Sequence, residues 1–483
     1  MVFSSTIFLV YFLPFFLITY WLTPHKYRNL TALLWSLAFY AWGAPEFVFV
    51  LFGSVLIDFF LAKKIYESEG FLKKRYLIFS MILNIGLLLY FKYANFFIEN
   101  ANVLLEELGM DGVHWTKLAL PIGISFFTFQ KISYIVDVYR GKNEPLQKIS
   151  DLALYIVLFP QLIAGPIVRY SEIKDQLQNR VAQSNIDNLL NGLFRFTIGL
   201  GKKMLIANQM SELADNIFSL PAETLTMGQA WLGSVAYAFQ IYFDFSGYSD
   251  MAIGLGLMMG FRFPENFNAP YISQSITEFW RRWHITLSNW MRDYLYIPLG
   301  GNRVKSKTRL YFNLWMVFLI SGFWHGAAWT YIVWGLFHGA FLIMDRLFLL
   351  KFYKMIGKPL SVFITFIITL VGWVIFRADT FPQAISYIVT MFDFSNIDFA
   401  ISTTKGTYDW FIEQRFVIIM CVAAFFSFFP IFNYVEKNMN AFLETHTNTE
   451  VVVFKTGIAF VLLFICITEV ISTGVNPFIY YRF

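Results

Sequence analysis

Charge is what this chain has least of. Only 14% of its 483 residues are Asp, Glu, Lys or Arg, against roughly 25% in ordinary soluble domains. So few charged side chains cannot cover the surface of a water-soluble fold of this size. Cysteine is scarce as well. Cys421 and Cys466 stand alone inside apolar runs, which excludes a disulfide framework and a CxxC-type zinc site and leaves both as small buried hydrophobes. No metal site is expected elsewhere. Met1–Thr6 lacks the basic n-region of a secretory signal peptide, so the first apolar run is expected to stay as an anchor. The chain shows neither an internal repeat nor a low-complexity segment.

Apolar and aromatic side chains fill the space that charge leaves: 57% of residues are hydrophobic, 20% are aromatic and the mean hydropathy is +0.55. Length alone would allow two or three soluble domains, but hydrophobic runs recur almost to the end, so a single membrane domain over residues 1–483 is expected. About twenty apolar residues cross a bilayer as a helix. The runs at Ile7–Leu22, Leu30–Trp42, Phe47–Ala62, Leu77–Tyr93, Leu118–Ile135, Ala230–Phe243, Leu310–Phe323, Trp329–Leu350, Leu360–Phe376, Phe416–Tyr434 and Val452–Ile471 predict an all-α polytopic protein with about eleven transmembrane helices. The net charge is +5, and its Lys and Arg residues cluster in loops, a signature of orientation and not of nucleic-acid binding. His25–Arg28 and Lys63–Arg75 are basic, the intervening Ala44–Glu46 loop has no Lys or Arg, and Glu99–Asp111 is acidic. The positive-inside rule then places the N-terminus outside the cytoplasm.

The middle of the chain is irregular. Leu152–Tyr170 is apolar but interrupted by Pro160 and Gly165-Pro166. Either a re-entrant element or a proline-kinked crossing helix fits, and broken backbone at membrane depth needs protein or a water-filled cavity around it.

Four stretches hold polar residues where lipid-facing helices would not. Ser125, Thr128 and Gln130 share one span and read first as interhelical hydrogen-bonding groups, second as a cavity wall. In Gln240–Asp250, Asp250 is expected to cap a helix starting near Met251, while Asp244 is balanced between capping and lining a polar cavity. Asp58, alone in its apolar run, is expected to pair with another helix. In Thr277–Trp290, the residues Trp280, Trp283, Leu287 and Trp290 fall along one helical side and Arg281, Arg282, Ser288 and Arg292 populate the rest. This pattern predicts a helix lying in the membrane interface, followed by the basic loop Arg303–Arg309. Read functionally, the stretch is a basic vestibule for a phosphate-bearing donor. The fourth stretch is Ser321–Gly326. His325 lies sixteen residues past Arg309, which on a straight helix lifts it roughly 24 Å from the cytoplasmic boundary. An ionisable group that deep is a functional candidate. His284 would then sit at the cytoplasmic face, too far from His325 for a tight dyad. His338 reads as structural, and His25, His114 and His446 lie in loops.

In order and spacing these stretches resemble the membrane-bound O-acyltransferase family, in its bacterial branch of alginate O-acetyltransferase membrane subunits and teichoic-acid D-alanyl transferases. The resemblance runs from about Gly123 to Asp345. It is carried by Phe159–Pro166, Tyr242–Asp250, Phe279–His284, Tyr294–Arg303 and Trp324-His325-Gly326. Pro477–Phe483 also looks like the aromatic terminus of alginate-type members. The resemblance implies re-entrant and interfacial helices around a central conduit in a bacterial inner membrane. It implies His325 and His284 as the catalytic positions, with Arg281, Arg282, Trp283, Asp244, Trp324 and Asn289 contacting substrate. It further implies acetyl-CoA or an acyl-carrier thioester as donor, no bound cofactor, and an extracytoplasmic acyltransferase partner of the SGNH type. Membrane lipid is an expected contact and nucleic acid is not. A transporter or lipid-carrier flippase, and a scaffold without chemistry, are the competing classes. The acceptor polymer is not legible.

Overall fold

The structure is a computed structural model, and it describes residues 1–397, 402–403, 406–407, 410–429, 449–473 and 478–479. Among these residues the chain is helical, apart from one short antiparallel pair, Ser402–Thr403 with Gly406–Thr407. Five stretches are long and apolar enough to cross a membrane: Pro45–Glu67, Gly70–Glu107, Trp329–Ile356, Lys358–Arg377 and Glu450–Ser472. Their outer faces expose Phe49, Phe60, Phe79, Phe363 and Phe464, side chains that lipid solvates and water does not. The protein is membrane-embedded and all-helical in architecture. The expected run at Phe416–Tyr434 reaches beyond the described residues.

The backbone forms two compact units, Met1–Gly192 with Ala252–Pro264, and Leu193–Met251 with Glu265–Phe483. In the first unit, helices α1 (Val48–Glu67), α2 (Gly70–Leu88) and α3 (Ile124–Tyr139) meet around Asp58. Asp58 is wholly buried and accepts hydrogen bonds from Ser80 Oγ at 2.7 Å and Asn84 Nδ2 at 2.9 Å. Lys131 Nζ pairs with it at 3.3 Å. The expected pairing of Asp58 is thus met by two helices at once. Within the same unit, Lys92 donates to Ser125 Oγ at 3.1 Å, as the interhelical reading of Ser125 anticipates.

The irregular run resolves into α4 (Ile149–Val157) and α5 (Phe159–Leu162), followed by non-helical backbone to Arg169. It is a broken element buried in protein, not a kinked continuous helix. The break is held by side chains: Phe159 N donates to Ser36 Oγ at 3.2 Å, Gln161 Nε2 to the Tyr155 carbonyl at 2.6 Å, and Tyr155 Oη to the Val168 carbonyl at 3.0 Å. Backbone comes so close here that a Cβ on Gly123 would lie 2.5 Å from the Leu162 carbonyl oxygen, at a φ of +77°. Only glycine tolerates both conditions.

The second unit carries the candidate chemistry. The Tyr242–Asp250 stretch lies inside one long helix, α6 (Met227–Met258). Asp250 therefore caps nothing, and the expected helix start at Met251 is wrong. Its carboxylate instead pairs with Arg195 at 2.6 Å and Lys202 at 2.6 Å. The predicted interfacial helix is also corrected. It breaks into α7 (Ile276–Arg282) and α8 (Ile285–Met291) with His284 at the junction, and Trp280, Trp283 and Trp290 are buried in protein. Aromatic faces at helical spacing satisfy a protein core as well as a headgroup layer, so periodicity alone did not separate the two. Helix α9 (Lys307–His325) is continuous up to His325, and it is followed by α10 (Trp329–Met344) and α11 (Lys358–Arg377).

Candidate active site

Helices α9 and α10 approach through glycine. A Cβ on Gly322 would meet the Tyr331 carbonyl oxygen at 2.3 Å, and one on Gly335 would meet the Phe318 carbonyl oxygen at 2.3 Å. Nothing larger than hydrogen fits at either position. Gly326 is required for a different reason: a Cβ there would lie 2.1 Å from the Tyr331 ring. The glycine of Trp-His-Gly is thus a packing requirement, set by the Tyr331 ring against extended backbone after His325.

His325 ends α9 and is 3% exposed. Its Nδ1 lies 2.6 Å from the Ser321 carbonyl oxygen. A carbonyl only accepts, so Nδ1 carries the hydrogen and the neutral ring keeps its lone pair on Nε2. Aromatic rings fix the imidazole plane. Trp324 and Trp334 stand 4.9 Å from it, centroid to centroid, and Phe376 stands 5.7 Å away.

His284 occupies left-handed backbone, φ 45° and ψ 52°, which costs a non-glycine residue roughly 1–2 kcal/mol. Asn266 offsets that strain. Its Oδ1 accepts from Thr286 N at 3.3 Å and Thr286 Oγ1 at 2.8 Å, and its Nδ2 donates to Ser249 Oγ at 3.0 Å. The same Oδ1 lies 3.1 Å from His284 Nδ1, so Nδ1 carries the hydrogen here too. Ile285 N adds a bond to the Asn266 carbonyl at 2.9 Å. The ring of Phe245, on α6, meets His284 edge-on at 4.7 Å. Burial, with His325 as a lesser cause, holds the His284 imidazole well below its ordinary value of 6.5, so it is neutral at physiological pH.

The two histidines are neighbours. Trp324 contacts both, at 6.4 Å from His284 and 4.9 Å from His325, and His325 is near enough to act on His284 electrostatically. The expectation that places His284 on a surface helix at the cytoplasmic face fails, because Thr277–Trp290 is not one surface helix. The break at His284 turns its ring into the protein.

The other candidate residues divide. Trp283 and Trp324 are buried beside the histidines, Trp283 packing against Phe267 at 5.0 Å and Trp373 at 4.9 Å. Asn289 is half-buried on α8, and Arg281 is exposed. Arg282 is already engaged, with Glu278 at 2.9 Å and the Asn268 carbonyl at 3.1 Å. Asp244 does not line an open polar wall. It is buried, paired with Lys203, and accepts the Ile479 backbone N–H at 2.8 Å. His338 behaves as the structural reading expects: its Nδ1 accepts from Trp280 Nε1 at 3.3 Å within a cluster of rings. Asn266 was missed. Its only signal was one of two Asn residues, Asn266 and Asn268, in Pro264–Ala269, a stretch whose composition reads simply as a loop. Among the described residues no cluster of three His, Cys, Asp or Glu side chains is arranged to hold a metal ion.

A model of the membrane-bound O-acyltransferase family matches residues 124–377, the span that holds both histidines. The chain belongs to that family. It is 47% identical over 396 residues to the probable alginate O-acetylase AlgI of Pseudomonas aeruginosa, covering 82% of this chain and 75% of that protein. It is 41% identical over 425 residues to the peptidoglycan O-acetyltransferase of Helicobacter pylori, covering 81% and 80%. Against the teichoic acid D-alanyltransferase of Bacillus subtilis the identity is 32% over 279 residues, 54% and 69% of the two chains. As a membrane-bound O-acyltransferase, this protein is an enzyme of acyl transfer, which sets aside the transporter and scaffold classes.

Proposed function

We propose that this enzyme moves an acetyl group from a cytoplasmic thioester, acetyl-CoA or an acyl-carrier thioester, to an extracytoplasmic hydroxyl, for O-acetylation of a cell-envelope polymer such as alginate. The names of the alginate and peptidoglycan relatives support this class of acceptor. The observation that carries the mechanism is the 2.6 Å contact between His325 Nδ1 and the Ser321 carbonyl. It commits Nδ1 to donation and Nε2 to acceptance. In this mechanism Nε2 takes the acceptor's hydroxyl proton as the oxygen attacks the thioester carbonyl. The C–S bond then breaks, and the imidazolium returns the proton to the departing thiolate, so charge and protons balance. A neutral imidazole is suited to this at physiological pH. Direct acylation of His325 Nε2, followed by attack of the hydroxyl on the acyl-imidazole, is the second form of the same reading.

His284, neutral and held by Asn266, is proposed as the second polar contact for the reacting thioester. Trp283 and Trp324 are proposed as its aromatic walls, with Arg281, Arg282 and Asn289 on the donor side. Its setting is the bacterial cytoplasmic membrane, as one functional domain of about eleven crossings with the N-terminus outside. An SGNH-type extracytoplasmic acyltransferase is the proposed partner that completes transfer to the polymer.

The test is thiol release and ester formation from acetyl-CoA by the protein in nanodiscs, with a small hydroxyl acceptor. His325→Ala should lower turnover by about 10²- to 10⁴-fold, the usual worth of a general base, while the protein stays folded. Unchanged transfer in that variant would end this mechanism.

A further inference from the structure

Within the aromatic stretch singled out in the sequence, Phe478 and Ile479 are described, and both are buried in the second unit. Ile479 donates its backbone N–H to Asp244 Oδ2 at 2.8 Å, across 235 residues of sequence. The other oxygen of Asp244 accepts from Lys203 Nζ. That ammonium lies 4.7 Å from the centroid of the Phe478 ring, and Phe478 in turn meets Tyr248 edge-on at 4.8 Å. Phe478 is 1% exposed and Ile479 5%.

A buried ion pair is favourable only when its remaining lone pairs and protons are also satisfied. Here Ile479 supplies a hydrogen bond to the carboxylate and Phe478 supplies a π face to the ammonium. Docking of the segment and integrity of the pair are therefore coupled, since a half-satisfied polar network is worse than an apolar one. The same turn of α6 bears on the candidate active site. Phe245, next to Asp244, packs edge-on against His284, and Tyr242 packs against Tyr271 at 5.3 Å.

We propose that Lys203 and Asp244 form a socket for the Phe478–Ile479 segment, and that its docking positions His284 through Phe245. These residues act through α6 and are positioning residues. The activity arm of the test rests on the proposed acetyl-CoA donor, and the exchange arm does not.

The experiment uses the full chain in nanodiscs. Hydrogen–deuterium exchange mass spectrometry follows the peptide that contains Phe478 and Ile479, and thiol release from acetyl-CoA follows turnover. Asp244→Ala should speed exchange of that peptide at least about tenfold. It should lower kcat by roughly tenfold or more while KM for acetyl-CoA stays within about threefold, the signature of misplacement and not of lost binding. Ile479→Pro deletes the donated N–H and should reproduce the kcat loss, whereas Ile479→Val retains the N–H and should restore wild-type behaviour. Phe478→Leu serves as a second probe if Asp244→Ala does not fold. Unchanged exchange in Asp244→Ala and Phe478→Leu would overturn the socket. Accelerated exchange with kcat within about twofold of wild type would overturn the positioning role. If the wild type releases no thiol, the acetyl-CoA donor reading fails and the exchange arm alone decides the socket.

Discussion

Around Asp58 in the first unit, buried polar side chains answer one another: the carboxylate accepts from Ser80 and Asn84 and lies 3.3 Å from Lys131 Nζ. Around His325 in the second unit the contacts are of another kind. The imidazole is tied by a backbone carbonyl and held between rings. The contrast separates two uses of polarity inside an apolar protein. A neutralised ionic cluster spends its hydrogen-bonding capacity on holding helices together. An imidazole whose Nδ1 faces a backbone carbonyl is directed to use Nε2 for chemistry.

The comparison breaks most sharply at Lys131. Lys131→Met leaves the Asp58 carboxylate buried without its cation, and the loss of stability should be about 3–5 kcal/mol. Asp58→Asn with Lys131→Met should recover most of that loss, as thermal unfolding in detergent would report, with turnover per folded molecule unchanged in both. A large turnover defect in the recovered double variant would show that the ionic cluster also serves chemistry.

The next largest effect belongs to the helix pair that carries His325. Gly322→Ala drives a Cβ into the Tyr331 carbonyl, so α9 and α10 must part. Overpacking of this kind costs about 1–3 kcal/mol. Because His325 is one turn away, turnover should fall further than stability suggests, by about a hundredfold. Equal, small losses in both would mean that the helix approach does not set the His325 geometry.

The third prediction concerns pH. The folded chain holds His284 well below its ordinary value of 6.5, while the unfolded chain protonates it there. Unfolding therefore takes up a proton between those two values, and stability falls as pH drops through about 6.5, by up to about 1.4 kcal/mol per pH unit. Above that pH the contribution is flat. In His284→Gln the slope that this histidine contributes should vanish, measured as the difference in unfolding midpoint between pH 7.5 and about 5.5. Parallel curves for the two proteins would sink the assignment.

The smallest effect is expected at Arg281. It is exposed and, unlike Arg282, makes no ion pair among the described residues. Arg281→Gln should leave stability and kcat unchanged and raise KM for acetyl-CoA by about threefold, an effect that shrinks as salt is raised. An unaltered KM at low salt would remove Arg281 from the donor side.

Much of this was legible in the residues themselves. Long apolar runs announced the membrane, because hydropathy over a span is additive and needs no tertiary partner. The continuity of α9 up to His325 followed from its unbroken apolar pattern, and the pairing of Asp58 from the cost of a lone carboxylate. Asp250 and the Trp280–Trp290 row were misread for one reason: capping signals and aromatic periodicity have the same appearance on a surface helix and in a packed core. Asn266 stood out little from its loop, since its side-chain partners lie on Ser249, His284 and Thr286, which only folding brings together.

By itself the sequence determined that this chain lives in a bilayer, that it belongs among the O-acyltransferases, and that His325 lies at the end of an apolar helix. These follow from composition and from ordered motifs along one dimension. Only the tertiary structure decided that His284 turns inward to share Trp324 with His325, that both imidazoles are tied through Nδ1, and that Asp244 is spent on Lys203 and Ile479. Each depends on a backbone break or a long-range contact whose energy comes from groups distant in sequence, and a linear pattern does not record such partners.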